Sequence, residues 1–588
     1  MEHLQKGELS QAETLLNQIL AVKPDHPNTI HLLGVVAHQR GENTTAIEKI
    51  SKAIELNGKK APFHLNLGLS YQETGRFKKA AEAFQKSIDL DPEEGDGYYL
   101  LGSTLKQLKH SDLAAKALIA AIKHKPDHYQ AYNELGTILN KRKQHDQAIT
   151  AYKSALEIKP DFPEALSNMG NALSNIQLWK EATVFFQKSI EIDPNFVYAH
   201  YNLGLAFEAL GQKDEAAAAF QNAVRINPDF ADGFFSLGNL LQNGGKLKLA
   251  AASYLKAVKA DPKHFKAFNN LALADKTLGM TEEALGACRQ ALRIRPKFFQ
   301  AYNNLGSIFM DVGRLQEALS ACRNSLSINP DYADAHFNIG GIQRKMGDTK
   351  KALISFQKTL DPDHPQAAHI INSLEGRTTP TAPRPYVQRL FDGYAKKFDS
   401  HLVKQLEYDI PARLRQQFDR AAGDQTALQN AVDLGCGTGL VGAEFRNIVT
   451  FIAGIDLAPK MLAQAHNKKL YDALVEDNLV EGMAGLERKF DLFLSADVFI
   501  YVGQLEPVFQ QVQQCAAENA WFVFSTERTQ KQDYLLRESG RYAHSRAYIN
   551  RLATEIGFDM VSTEPVHIRK ESEQWIEGDV FVLRKGSG

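Results

Sequence analysis

Prolines stand at Pro92, Pro126, Pro160, Pro194, Pro228, Pro262, Pro296 and Pro330, one every 34 residues, and the same grid counted backwards meets Gly58 and Pro24. Ten residues past each grid point comes a glycine (Gly34, Gly68, Gly102, Gly136, Gly170, Gly204, Gly238, Gly306 and Gly340), with Ala272 the exception. Twenty-two residues past each point comes an alanine, from Ala46 through Ala352, in all ten units. Ten registered units cannot share one core. They must stack so that each unit buries its apolar face against its neighbours.

Each unit reads as two antiparallel helices. The glycine on the first and the alanine on the second let the backbones approach, while Leu67, Phe84, Tyr152, Phe186 and Phe220 fill the remaining volume. Proline ends the second helix and resets the chain. A 34-residue period with small residues in these slots is the tetratricopeptide signature. The first 23 residues fit the second helix of an earlier unit, with Gly7 and Ala12 on the grid. The last unit is two residues short and ends at Asp361-Pro362, and a helix from about Gln366 to Leu374 is expected to cap the stack. The array is therefore assigned residues 1–375.

Eight residues past the grid point, six units carry asparagine: Asn66, Asn168, Asn202, Asn270, Asn304 and Asn338. The slot resembles the inner asparagine ladder of the O-linked N-acetylglucosamine transferase repeats, and that resemblance implies contacts with the backbone of an extended polypeptide. An amide side chain offers a donor and an acceptor together, which matches a peptide unit whatever its side chain. The alternative is a repeat consensus on a solvated face.

The formal net charge is -1 in 588 residues, so nothing steers the chain towards nucleic acid or an anionic membrane surface. No apolar run approaches the roughly 18 residues that suggest a membrane span, and the first residues hold no apolar signal core. The four cysteines, Cys288, Cys322, Cys436 and Cys515, form no CxxC pair. A reducing, cytoplasmic compartment is the expectation, and no Cys/His cluster suggests a metal.

Residues 376–385 read GRTTPTAPRP, a linker composition that implies few obligate contacts with the array. Beyond it, the segment NAVDLGCGTGL (Asn430 to Leu440) is an apolar strand running into a glycine-rich turn and a helix. A second apolar strand ends in Asp456, 21 residues after Gly435. This is the logic of a nucleotide-binding crossover: glycines admit the ligand and the acid takes two ribose hydroxyls. A dinucleotide fingerprint would place glycine at position 440, where Leu440 stands. The D-x-G-x-G-x-G pattern from Asp433, followed by LAPKML after the acid, instead resembles class I S-adenosylmethionine (SAM)-dependent methyltransferases. Further strands are expected at Phe490 to Asp497 and Ala520 to Glu527, with a closing antiparallel pair in GFDMVSTEPVHI and GDVFVLRK.

The flanking segments YVQRLFDGYAKKFDSHLVKQLEY and SGRYAHSRAYINRLATEIGF, with DLGCGTGL and KKLYDALVEDNL, extend the resemblance over essentially the whole chain. The chain resembles the bacterial tetratricopeptide-repeat-containing class I methyltransferases, which implies an α-solenoid followed by a Rossmann-like α/β domain at residues 386–588. The resemblance implies SAM as cofactor. Gly435, Gly437 and Gly439 admit it, Asp433 orders the turn near the methionine amino group, Asp456 holds the ribose, and Leu457 and Met461 pack on the adenine. Relatives bind the adenine amino group with an Asp placed directly before Leu; here that slot is Asn478, with Asp477 just ahead of it, and either fits, Asp477 being preferred. Tyr394 and Phe398 are expected to cover the cofactor, with plain helix packing as the alternative. Asp497 is expected to face the methyl group. His544, in a polar-aromatic group with Arg541 and Tyr542, is either a general base or a structural histidine.

After the fourth strand the chain reads ADVFIYVG. It lacks the Asn-Pro-Pro-Tyr-type tetrad of adenine or glutamine amino methylation, and no Pro-Cys pair marks cytosine ring methylation. The leading reading is a methyltransferase whose array recruits a protein or carrier-bound substrate. A repeat scaffold with a SAM-binding but non-catalytic domain is the alternative, and aminopropyl transfer on the same fold ranks last.

Overall fold

Close helix approach needs a missing side chain, and the computed structural model shows where. It describes residues 6–359, 365–395, 398–423, 428–571 and 574–586. Helix pairs follow the grid from Pro27–Gln39 and Asn43–Leu56 to Ala333–Lys345 and Thr349–Gln357, preceded by Leu9–Val22. A methyl group built on Gly68, Gly136, Gly170, Gly204 or Gly238 would stand 2.5–2.6 Å from the ring of Phe84, Tyr152, Phe186, Phe220 or Tyr254, sixteen residues later. The alanine slot is fully buried in all ten units, Ala46 through Ala352. At the exceptional Ala272 the opposing slot carries Cys288, smaller than an aromatic ring, and both residues are fully buried. The expected end of the last unit at Asp361-Pro362 lies outside the described residues, whereas the capping helix is present as Pro365–Leu374.

Among the described residues the C-terminal part is built on nine strands: β1 Leu428–Leu434, β2 Val449–Asp456, β3 Ala473–Glu476, β4 Phe490–Ser495, β5 Ala516–Glu527, β6 Tyr534–Leu536, β7 Tyr542–His544, β8 Phe558–Glu571 and β9 Gln574–Lys585. Seven form one sheet in the order β3-β2-β1-β4-β5-β9-β8, parallel up to β5 and antiparallel at β5–β9 and β9–β8. Both faces are covered, so the central strands are apolar on both sides. Phe522 and Phe524 pack into one core, and Trp521 and Val523 into the other. The small β6–β7 hairpin falls in a segment whose sequence showed only a polar-aromatic group.

The chain divides into two compact units, Met1–Leu271 and Ala272–Gly588. The division falls inside the helix Phe265–Leu278 and not at 376–385. The proline-threonine segment is correspondingly not a free tether. Pro380 O accepts from the N–H groups of Gly503 and Gln504 at 2.9 and 2.7 Å, Ala382 N–H donates to Tyr501 O at 3.0 Å, and Thr379 bonds the Tyr542 hydroxyl at 2.6 Å. Ala382 is buried. A cut at Tyr386 would remove this strap from the segment it bonds.

The packing of the repeats makes a direct prediction. Gly170→Ala drives a methyl group into the Phe186 ring, 2.6 Å away. Such overpacking costs about 1–3 kcal/mol. Hydrogen exchange in Pro163–Asn175 and Trp179–Ile192 should accelerate, and adding Phe186→Leu should restore part of the protection. Unchanged exchange in the single variant would mean the ring moves aside freely.

Candidate functional site

In an open α/β sheet the ligand crevice lies beyond the carboxyl ends of the strands, where the strand order reverses. Here that point is between β1 and β4. The turn after β1 needs the left-handed region three times, at Gly435 (φ 75°), Gly437 (φ 53°) and Gly439 (φ 90°). The N–H groups of Gly435 and Cys436 both donate to Ile455 O, at 2.8 and 2.9 Å, which pins the turn to the end of β2. A methyl group on Gly435 would collide with the Val498 side chain.

Asp456 closes β2. Its two carboxylate oxygens accept from Gly437 N–H at 2.9 Å and Ala458 N–H at 2.8 Å. Burial pushes its pKa up to about 6 against these donors. Asp433 is fully buried and does not line the cavity described below. Its Oδ2 accepts from the Tyr471 hydroxyl at 2.6 Å, and its Oδ1 has no partner. Burial pushes it up to about 7, with the Tyr471 hydrogen bond working against that and Asp456 adding to it.

A cavity of about 1050 Å³ opens above this turn. Gly435, Gly437, Asp456, Leu457, Met461, Asn478 and Asp497 all line it, as do Tyr394 and Phe398. Its roof is the helix Arg384–Tyr394 together with Phe398–Gln405. Side chains tie this roof down: Asp392 accepts from Lys460 N–H at 3.0 Å, Lys468 Nζ donates to Asp399 at 2.7 Å, and the Thr438 hydroxyl also bonds Asp399. A Cβ on Gly437 would touch Met461 at 3.4 Å and Phe398 at 4.0 Å, so the glycine leaves a slot between two apolar groups. A glycine cradle, apolar walls and an acid at the end of β2 fit a nucleoside-bearing methyl donor.

Asp477 and Asn478 separate. Asn478 lines the cavity, but its Oδ1 caps the helix Leu479–Gly485 by accepting from Val480 and Glu481 N–H at 3.0 Å each. Asp477, the preferred residue of the pair, points instead to Arg384 at 3.3 Å and does not line the cavity.

Asp497 follows β4 in a left-handed conformation (φ 58°), with its N–H on the Ser525 hydroxyl at 2.9 Å. A non-glycine residue there is strained, and such strain gathers at functional sites. Its Oδ2 accepts from Arg569, which also bonds Glu527, while its Oδ1 has no partner. Arg569 on β8 is 3% exposed. Burial opposes its charge, but Asp497 and Glu527 together raise its pKa above the ordinary value. Tyr408, also in the cavity wall, is pushed well up by burial and by Asp497. Sequence reasoning missed Arg569, Glu527 and Tyr408 because they meet Asp497 only through the folded sheet. His544 does not line the cavity. It is 1% exposed, and its Nε2 sits 3.0 and 2.9 Å from the carbonyls of Val502 and Gly503. Burial lowers its pKa to about 4 against those carbonyls, which suits a neutral structural donor.

The asparagine slot is a ladder of another kind. Asn168 Nδ2 donates to Asn133 at 2.9 Å, Asn338 to Asn303 at 2.8 Å and Asn270 to Asn239 at 2.9 Å, and Asn66 Nδ2 meets His31 Nε2 at 2.9 Å. Each bond reaches the first helix of the preceding unit. Asn202 and Asn304 are half-buried like the others. In these four units the amide donor expected to meet a peptide is engaged in joining repeats.

The model of a family described as methyltransferase domain matches residues 406–563. Models of the tetratricopeptide repeat match 61–94, 95–128, 197–230, 235–297 and 298–372, and a further TPR repeat model matches 136–177. No curated protein matches the chain. Among solved structures, MamA is 30% identical over 28% of this chain and 95% of its own, with a TM-score of 0.27. YrrB, a TPR protein with an unusual peptide-binding site, is 26% identical over 32% and 96%, with a TM-score of 0.28. Pseudomonas aeruginosa pilF is 20% identical over 34% and 92%, with a TM-score of 0.32. Fold, site and family models together define a repeat solenoid followed by an α/β domain of the class I methyltransferase kind. The chain is a tetratricopeptide-repeat-containing class I methyltransferase by family. Its methyltransferase domain implies a methyl donor and its repeats imply protein–protein interaction. Among the described residues, no helix is long and apolar enough to cross a membrane.

The raised carboxyls carry a pH signature. Asp433 keeps its proton up to about pH 7 when folded, against an ordinary carboxyl value of 3.8. The folded chain therefore binds more protons between these values, and the stability of the cofactor-free protein falls as pH rises through that window. Asp433→Asn removes this contribution. Its melting midpoint should exceed the parent's at pH 8, by a margin that shrinks as the pH falls towards 4. A margin that does not change with pH would refute the assignment.

Proposed function

We propose that this chain transfers a methyl group from SAM to a protein or carrier-bound acceptor recruited through its repeats. The observation carrying the reading is the Gly437–Asp456 turn opening into a cavity that continues to Asp497. At about 1050 Å³ the cavity reaches the top of the roughly 300–1,000 Å³ range of small-molecule pockets. That leaves room for an acceptor beside a cofactor and favours an enzyme over a domain that only senses SAM.

Bound there, SAM would supply an electrophilic sulfonium methyl group: an acceptor lone pair would take the methyl, the S–CH3 electron pair would stay on sulfur as a neutral thioether, and the acceptor's proton would be lost to water. Asp456 accepts from the two ribose hydroxyls on lone pairs left by its backbone donors. Leu457, Met461, Tyr394 and Phe398 enclose the adenine and exclude water, and Asn478 edges it. Asp433 acts from behind, ordering the turn through Tyr471. Asp497 Oδ1 accepts from an N–H or O–H of the acceptor and so aims its lone pair. Arg569 bonds Asp497 Oδ2 and so fixes the carboxylate in place as an orienting group. His544 has no place in this scheme. Cys288, Cys322, Cys436 and Cys515 are all free and buried, in keeping with a reducing cytoplasm.

Titration calorimetry of the full chain tests the cofactor. Asp456→Ala loses hydrogen bonds from a charged acceptor, about 1.5–3 kcal/mol each, so affinity for SAM should fall more than tenfold. Equal affinity in the two proteins would remove the ribose role. Asp497→Ala should leave SAM affinity within about threefold, because each tenfold needs about 1.4 kcal/mol, while methyl transfer to proteins falls well below the parent rate. If transfer is unchanged, Asp497 does not orient the acceptor.

A further inference from the structure

The cavity wall is not made by the catalytic domain alone. Asp311 and Lys345 also line it. Both are the last residue of the first helix in their repeat, Phe299–Asp311 and Ala333–Lys345, fifteen residues past successive grid points. One slot of the repeat pattern thus faces the methyl-transfer site twice in succession.

This wall is held by packing. Tyr386 belongs to two apolar clusters at once. One contains Phe337, Phe356 and Ile370 of the final repeat and its cap, and the other contains Val387 and Tyr501 of the cavity roof. His369 in the capping helix lies 4.7 Å from the Tyr386 ring, centroid to centroid, and its Nε2 meets Gly540 O at 2.9 Å. His369 is 2% exposed, so this is a buried seam. A strap bonded at Pro380 and Ala382 runs alongside it.

The charges on the wall differ in kind. Asp311 is paired with Lys276 at 3.2 Å. Lys345 is exposed, and Arg541 lines the same cavity close enough to lower the pKa values of Tyr386, Tyr394 and Tyr501 against the effect of their burial. Besides Asp456, Asp497 and the Lys276-paired Asp311, the cavity is therefore lined by the cationic side chains of Lys345 and Arg541.

We propose that the two C-terminal repeats form one wall of the acceptor site, and that Lys345 and Arg541, which line the same cavity, select a polypeptide acceptor carrying an acidic side chain next to the methylated residue. The proposal rests on the methyl-transfer reading above. It assigns the last repeats to specificity, where recruitment alone would let them be replaced by any tether. Lys345 is a positioning residue: it reads the flank of the acceptor and touches neither the methyl group nor the cofactor.

The test uses the full chain, methyl-labelled SAM and three random peptide pools. Each pool presents every nucleophilic side chain at its centre, flanked by glutamate-rich, serine-rich or lysine-rich sequence. The glutamate-rich pool should be labelled fastest. A solvent-exposed ion pair contributes up to about 1 kcal/mol, so Lys345→Glu should lower that rate about fivefold and raise the rate with the lysine-rich pool. Lys350→Glu, an exposed control off the cavity wall, should leave the preference intact, and SAM affinity by calorimetry should be the same in all three proteins. Labelling without charge preference, or a preference that survives Lys345→Glu, overturns the proposal. If SAM binds and no pool is labelled, the polypeptide class of acceptor is overturned while the cofactor reading stands. If SAM fails to bind the parent, it is the methyl-transfer reading itself that falls.

Discussion

A carboxylate taken out of water must find donors, and Asp456 finds two backbone N–H groups in two different turns. One belongs to Gly437 after β1, the other to Ala458 after β2. This single side chain locks the glycine turn to the neighbouring strand end and so fixes the floor of the cavity. The rest is arranged around that lock. The turn requires three glycines with positive φ, Val498 fills the space that their missing side chains leave at Gly435, and the roof helices are tethered to the same region through Asp392 and Asp399. The pocket side of the sheet is thus preorganised before any ligand arrives.

The array obeys a different rule with the same economy of space. A missing side chain on one helix accepts a ring from the next, and repetition at 34 residues carries the contact along the stack. At its C-terminal end the stack merges with the methyltransferase domain through His369 and Tyr386. A seam of buried residues transmits position, whereas a flexible linker would transmit only proximity.

What the sequence showed and hid follows from the range of each interaction. The repeat slots and the glycine turn are local spacings, so Gly68, Ala80, Gly435 and Asp456 were legible at once. The cap and the antiparallel closing pair β8–β9 were legible too, from apolar patterning. The Asp497–Arg569–Glu527 cluster was not, because its members lie up to 72 residues apart and meet only across the sheet. The asparagine slot was read as either a peptide-binding ladder or a solvated repeat consensus, and the bonds it makes between repeats were not foreseen. The signal was present, since Asn133 and Asn303 precede Asn168 and Asn338 by 35 residues, one slot earlier in the preceding repeat. The 376–385 segment misled because proline and threonine suit a bound extended strap as well as a loose one. His544 stayed open between a general base and a structural histidine because a histidine among tyrosines reads the same in a buried hairpin as in a site.

The proposed function requires a nucleoside-bearing methyl donor between the Gly435–Gly439 turn and the roof helices Arg384–Tyr394 and Phe398–Gln405. Ultraviolet cross-linking of methyl-labelled SAM to the full chain, followed by peptide mapping, tests it most directly. Saturable label is expected in the peptides that hold Tyr394 and Phe398 or Leu457 and Met461, abolished by an excess of unlabelled SAM. Label confined to other parts of the chain, or label that excess SAM does not displace, would contradict it.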